Sequence, residues 1–171
     1  RDIAELDQLV GEILLASRLD ARAGTTQQEI VDLLALLAEE CARSGAELTG
    51  EPAQLWGDSD LLRRLFRNLL ENAQRHGGGE VEVGVGERGG RIEVRICDRG
   101  PGISEDERER IFEAFYRPAR TRESGNGGTG LGLAIARQIA EQHKGQVSCQ
   151  PRDGGGSCFV VSLPLARGDA G

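Results

Sequence analysis

Apolar residues at Ile3, Leu6, Val10 and Ile13, with Leu9 and Leu14 alongside, recur every three or four positions. That spacing marks one face of a helix and matches a short coiled-coil seam. The pattern reaches the first residue without a capping residue before it, the expectation for a helix that continues from a longer chain. ARAGTT (21–26) breaks it as a linker. A second helix is predicted from about Gln27 to Ser44, with Ile30, Leu33, Leu34 and Leu37 on its face and Gly45 as its C-terminal cap. AELTGEPAQLWGD reads as short strand and turn. Asp58 or Ser59 caps a third helix over 61–76, whose positions 62, 65, 66, 69, 70 and 73 form one apolar stripe.

After GGG (77–79) the period changes from 3.6 to 2. EVEVGV (80–85) and RIEVRIC (91–97) alternate around ERGG and predict a hairpin. A polar segment from 104 to about 129 follows, interrupted by IFEAFY. A fourth helix is predicted over 130–143, and GQVSCQ and GSCFVVSLPL form a last hairpin turned by DGGG. Helices alternating with antiparallel hairpins predict an α+β, two-layer sandwich: a mixed, mostly antiparallel sheet covered by helices on one face, plus the N-terminal helix.

The 171 residues suffice for one domain with an appendage. A net charge of -7 argues against nucleic acid or anionic lipid as a partner of the whole surface. A polyanion would need a local site of backbone amides and a few arginines. No apolar run is long enough to span a bilayer. The four cysteines, at 41, 97, 149 and 158, contain no C-x-x-C pair and so no zinc spacing. Cys149 and Cys158 face each other across the last hairpin as a conceivable disulfide; the reading adopted is four buried free thiols.

Three polar groupings carry candidate chemistry, and each has a plain structural alternative. GNGGTG (125–130) has the form G-x-G-x-x-G but lacks the preceding strand of a dinucleotide fingerprint. A glycine-rich loop feeding a helix N-terminus presents free N–H groups and a positive dipole end to phosphate; otherwise it is surface loop. Asn68 and Asn72, four apart, project from one helix face, where amide oxygens suit Mg²⁺; Arg75 follows at phosphate reach, and the alternative is a solvated polar face. Asp98 ends a strand, with Gly100 and Gly102 just beyond. It offers an acceptor to an exocyclic amine beside room for a flat ring, or else a simple Asx turn.

Taken in order, NLLENAQRH, DRGPGI, IFEAFYR and GTGLGLAIARQIAEQHKG closely resemble the N, G1, F and G2 boxes of bacterial sensor histidine kinases. In that family these boxes build an ATP-binding catalytic domain on the Bergerat (GHKL) fold. The resemblance covers roughly residues 25–166. It implies a catalytic domain over 25–171, and over 1–24 a helix and linker from the dimerisation and phosphoacceptor domain, whose histidine-bearing helix would precede Arg1. It implies ATP and Mg²⁺ as cofactors, with Asn72 holding the metal and Asn68 positioning it and the phosphates. Asp98 would read the adenine amine, with Gly100, Gly102 and Ile103 beside the ring. Arg75 stands where a lysine is usual and His76 where a tyrosine is common. Arg117 would reach the γ-phosphate, and Gly128, Thr129, Gly130, Leu131 and Gly132 would close over the triphosphate. Residues 104–129 would be a mobile lid, with Phe112 and Phe115 anchoring it when closed.

The resemblance implies phosphoryl transfer to a histidine and onward to a response regulator, in a homodimeric parent that places this part on the cytoplasmic side of a bacterial inner membrane. ATPase relatives carry a glutamate at the first N-box position; Asn68 has no basic atom to replace it. The alternatives weighed are a GHKL ATPase or serine kinase, and a nucleotide-switched binding module without catalysis.

Overall fold

The computed structural model describes residues 2–21, 28–76, 79–116 and 130–166. Among the described residues the larger sheet has five strands. In chain order they are β2 (Glu47–Gly50), β4 (Glu82–Arg88), β5 (Arg91–Cys97), β6 (Gln146–Pro151) and β7 (Ser157–Pro164). Their spatial order is β2-β4-β5-β7-β6, with only the β2–β4 pair parallel. Period-two alternation splits each strand between two faces. Val83, Val85, Ile92, Val94, Ile96, Phe159, Val161 and Leu163 point into the core, whereas Arg91, Glu93 and Arg95 are partly exposed on the other face. The expected two-layer α+β sandwich is the observed one.

Three helices cover the apolar face: α2 (Leu33–Ser44), α3 (Ser59–His76) and α4 (Gly132–Gln142). The stripe of α3 is buried throughout, with Leu62, Leu65, Phe66, Leu69, Leu70 and Ala73 all 2% exposed or less. Asp58 supplies its cap: Oδ1 accepts from the N–H groups of Asp60 and Leu61. Gly45 ends α2 at φ 80°, donating to the Cys41 carbonyl, as expected of a left-handed C-cap.

The predicted start of the second helix needs correction. Residues Glu29–Asp32 form a strand, β1, paired antiparallel with β3 (Gln54–Gly57), Ile30 lying opposite Trp56. The helix begins after Asp32, whose Oδ1 accepts from the Ala35 N–H at 3.1 Å. Ile30 and Val31 fit a strand better than a first helical turn because their branched Cβ restricts χ1 there.

Helix α1 (Asp2–Ala21) divides its apolar residues between two sides. Leu19 is buried and Leu9, Leu15 and Ala16 pack against the core, while Leu6, Val10, Ile13 and Leu14 remain exposed. The seam read from the spacing is thus the outward side, and Leu9 belongs to the other. No helix among the described residues is long and apolar enough to cross a membrane.

The cysteine reading also changes. Cys97 and Cys158, at the last rung of the β5–β7 ladder, are joined by a disulfide; Cys41 and Cys149 are buried free thiols. Cys149 lies opposite Phe159, not Cys158, so register excludes the pair that the terminal hairpin suggested.

A buried carboxylate docks α2 on α3. Glu40 is 2% exposed, and Arg67 donates to both of its oxygens at 2.9 Å, with Arg63 at 3.5 Å. The Arg67 hydrogen bond leads in holding Glu40 below its ordinary pKa of 4.5, against the opposing effect of burial. A folded-state pKa that is lowered stabilises the fold above the unfolded value, and the contribution is lost as pH falls through the lowered one. Replacing Glu40 with Gln is expected to cost about 1–3 kcal/mol at pH 7. In urea denaturation the gap from the parent should shrink when the medium is moved well below pH 4.5; a gap that does not depend on pH would exclude the ionic contribution.

Candidate functional site

The site is assembled where α3, the end of β5 and the start of α4 meet. Asp98 follows β5 directly and is 5% exposed. Its Oδ1 accepts from the N–H groups of Gly100 at 2.9 Å and Ser157 at 3.3 Å, and its own N–H donates to the Ser157 carbonyl at 2.9 Å. Among the described residues no hydrogen bond engages Oδ2, which leaves one carboxylate oxygen for an incoming donor. The Asx turn weighed from the sequence is therefore present, and it orients the carboxylate instead of using it up.

The wall beside Asp98 is the β6–β7 turn. Gly156 has φ 98°, and a Cβ there would stand 2.1 Å from the Asp98 carbonyl oxygen. Gly102, at φ 83°, faces the Gly156 backbone in turn, a Cβ on it meeting the Gly156 oxygen at 3.4 Å. Gly100, Gly102 and Ile103 are all half-buried along this edge.

On α3, Asn68 is 8% exposed, and its Nδ2 donates to the Gly132 carbonyl at 3.0 Å. The N-box helix is thereby joined to the first residue of α4. Asn72, one turn on, is half-buried and makes no side-chain hydrogen bond among the described residues, so its amide is available to a ligand. Arg75 is exposed; the side chain of His76 lies outside the described residues. Glu71 stands apart from the asparagines, lining a cleft on the α2 side with Glu40, Arg43 and Arg67.

Among the described residues no side chain caps the N-terminus of α4, and the positive end of the helix dipole there suits an anion. Leu131 is buried and Gly130 half-buried. The Phe115 N–H donates to the Gly130 carbonyl at 2.7 Å, clipping the F-box end to the start of the glycine-box helix. Arg117, Gly128 and Thr129 lie outside the described residues, as does the second half of the expected lid, 117–129.

The two lid phenylalanines differ. Phe112 is buried and meets Phe159 edge-on, ring centroids 6.0 Å apart. The Phe115 side chain is 56% exposed at a backbone φ of 66°, and its backbone N–H bonds Gly130.

Two residues escaped the sequence reading. Ser157 holds Asp98 through its main chain, and only the folded register brings it there. Arg137, on α4, stacks its guanidinium 4.7 Å from the Phe112 ring centroid and pairs with Glu109, tying the F-box segment to the helix. Neither carries a local signal, since both act across more than 20 residues of chain.

His143 is 4% exposed, with Nε2 accepting from the Asp58 N–H at 3.0 Å and Nδ1 2.7 Å from the Ile139 carbonyl. The pairing assigns the ring proton to Nδ1 and leaves neither nitrogen for phosphoryl chemistry.

Residues 57–167 match the histidine kinase-, DNA gyrase B- and HSP90-like ATPase family. The chain belongs to that family. Within it, the domain is of the sensor histidine kinase type, an ATP-binding catalytic domain. It is 35% identical to the signal transduction histidine-protein kinase BaeS of Escherichia coli K12, over 97% of this chain and 38% of BaeS. It is 34% identical to the sensor-like histidine kinase SenX3 of Mycolicibacterium smegmatis, over 93% of this chain and 44% of SenX3. The chain thus spans well under two thirds of these relatives. Among solved structures, the mycobacterial sensor histidine kinase MprB superposes with a TM-score of 0.68 at 31% identity, covering 81% of this chain and 98% of that one. Full-length ShkA in complex with AMPPNP superposes with a TM-score of 0.78 at 29% identity, covering 96% of this chain and 37% of ShkA.

Proposed function

We propose that this domain binds ATP with Mg²⁺ between α3, the end of β5 and the N-terminus of α4, and that within its parent protein it delivers the γ-phosphoryl group to a histidine on a separate helix. The observation that carries the reading is Asp98: a buried carboxylate, oriented by two backbone N–H groups on one oxygen and open on the other. It accepts a hydrogen bond from the adenine amine, with Gly100, Gly102 and Ile103 beside the ring. Bound ShkA contains AMPPNP, which supports a nucleotide in the same fold.

Asn72 offers an amide oxygen to Mg²⁺, and the metal supplies charge neutralisation between the phosphates when bound. Asn68 holds the start of α4 through Gly132, so the helix N–H groups meet the phosphates at a fixed distance from the metal ligand. Gly128, Thr129, Gly130, Leu131 and Gly132 cover the triphosphate, with Arg75 and Arg117 adding positive charge. His76, eight residues on from Asn68, completes the residues proposed to contact the nucleotide. An asparagine amide has no basic atom with which to activate water, so transfer is favoured over hydrolysis.

Residues 1–24 form the end of a dimerisation and phosphoacceptor domain, and the exposed Leu6, Val10, Ile13 and Leu14 face its preceding helix or a second copy. The phosphoryl group passes onward to a response-regulator aspartate, and the parent is a homodimeric bacterial membrane sensor with this part in the cytoplasm.

Labelled ATP tests the transfer. This chain alone is expected to bind nucleotide and acquire no phosphohistidine, whereas adding the acceptor helix in trans should produce labelled histidine on that helix. Stable label on His76 or His143, or steady phosphate release without transfer, overturns the reading. Asn72→Ala is expected to abolish the Mg²⁺ dependence of ATP binding in calorimetry. If EDTA leaves affinity unchanged in the parent chain, the metal role of Asn72 is wrong.

A further inference from the structure

The Cys97–Cys158 disulfide closes the terminal rung of the β5–β7 ladder. The next residue on β5 is Asp98, and the preceding residue on β7 is Ser157, whose N–H and carbonyl hold Asp98. Immediately beyond Ser157, Gly156 turns away at φ 98° against the Asp98 backbone. The covalent link therefore sits one residue from both partners of the bond that orients the adenine acceptor. End rungs are where a ladder frays first, and here fraying displaces a ligand-binding group instead of a bare terminus.

We propose that Cys97–Cys158 is a thiol–disulfide modification site whose redox state sets the affinity of the adjacent nucleotide pocket, the disulfide form binding ATP more tightly. The inference rests on the nucleotide reading of Asp98. A dithiol reductant supplies the chemistry. Its thiolate attacks the Cys97 sulfur, since Cys97 is half-buried and Cys158 is only 2% exposed. The S–S bond breaks, and Cys158 leaves as a thiolate and takes up a proton. The second reductant thiolate then attacks the mixed disulfide and releases Cys97. Two electrons and two protons have passed to the protein, and the reductant leaves as a disulfide.

The surroundings suit this exchange. Glu82, directly opposite Cys97 on β4, pairs with Arg99 at 3.7 Å and Arg152 at 3.4 Å. Arg99 and Arg152 place two guanidiniums on this edge, which offset the carboxylates of Glu82 and the adjacent Asp98 as a thiolate departs. Cys149, on the opposite face near Asp98 and Ser157, does not compete: burial pushes its thiol up to about 11, so it stays protonated at neutral pH.

Calorimetry with Mg–ATP on this chain, with thiols counted in denaturant, decides the matter. Air-oxidised protein should show two thiols, from Cys41 and Cys149. Dithiothreitol should raise the count by two and weaken ATP binding about five- to tenfold as preorganisation of Asp98 is lost, and oxidised glutathione should restore both values. Cys97→Ser/Cys158→Ser should bind like the reduced protein under either condition. Equal affinity in the two redox states of the parent chain overturns the redox inference and leaves the nucleotide site intact. All four cysteines titrating in the air-oxidised protein removes the pair itself. Absence of ATP binding in both states overturns the nucleotide reading and this inference with it.

Discussion

Asp98→Asn is expected to lose about ten- to a hundredfold in ATP affinity, corresponding to roughly 1.5–3 kcal/mol for a hydrogen bond to a charged acceptor. The fold should survive the change. An asparagine oxygen can still accept from the Gly100 and Ser157 N–H groups, which now bind Oδ1 at 2.9 and 3.3 Å. What turns toward the ligand is then an NH₂ group in place of the open Oδ2, so a donor meets the adenine amine. Such a reversal should also narrow the preference for ATP over GTP, because guanine presents a carbonyl at the corresponding position. Calorimetry with both nucleotides, beside a thermal melt that stays close to the parent, reads the effect. Unchanged ATP affinity with an unchanged melt would remove Asp98 from the adenine site.

Gly156→Ala should be the most disruptive single methyl group in the turn beside that carboxylate. The position combines a left-handed φ of 98° with a Cβ site only 2.1 Å from the Asp98 carbonyl oxygen and 2.9 Å from its carbon. Backbone atoms cannot rotate aside as a side-chain tip can. The strand end bearing Asp98 must move, at a cost of about 2–4 kcal/mol from strain and overpacking together. The melting temperature should fall by roughly 5–15 °C for a domain of this size, and ATP binding should weaken beyond the Asp98→Asn level. Gly155 supplies the internal control: its φ is 115°, but a Cβ there meets nothing within 4 Å. Gly155→Ala should show only the conformational term, about 1–2 kcal/mol. Equal losses at the two positions would mean that the contact with Asp98 contributes nothing.

The elements legible in the chain are those whose evidence is local. The α3 stripe and the β4–β5 and β6–β7 hairpins follow from periods of 3.6 and 2, and those periods persist whatever packs against them. The polar motifs were legible for the same reason: Asn68, Asn72 and Asp98 stand at fixed offsets within short runs. Strand β1 was not. EIVD continues smoothly into an apolar helical run, and only β3, with Trp56 opposite Ile30, supplies the hydrogen bonds that hold it extended. Asp32 was a usable signal, an acidic N-cap three residues before the N–H it accepts from. The cysteine pairing failed for a related reason. Along the chain Cys149 and Cys158 look like hairpin partners, yet β5 lies on the other side of β7 and presents Cys97 instead.

By itself, then, the order of residues determined the two-layer α+β architecture and the polar motifs proposed to meet a nucleotide, because periodicity and motif spacing are properties of a single line. Tertiary structure decided how those groups are aimed and restrained. Ser157 reaches Asp98 across 59 residues and Gly132 reaches Asn68 across 64; Cys97 reaches Cys158 across 61. Such contacts arise only when the strands choose their neighbours, and that choice is made by burial of the whole sheet face, which no short stretch encodes.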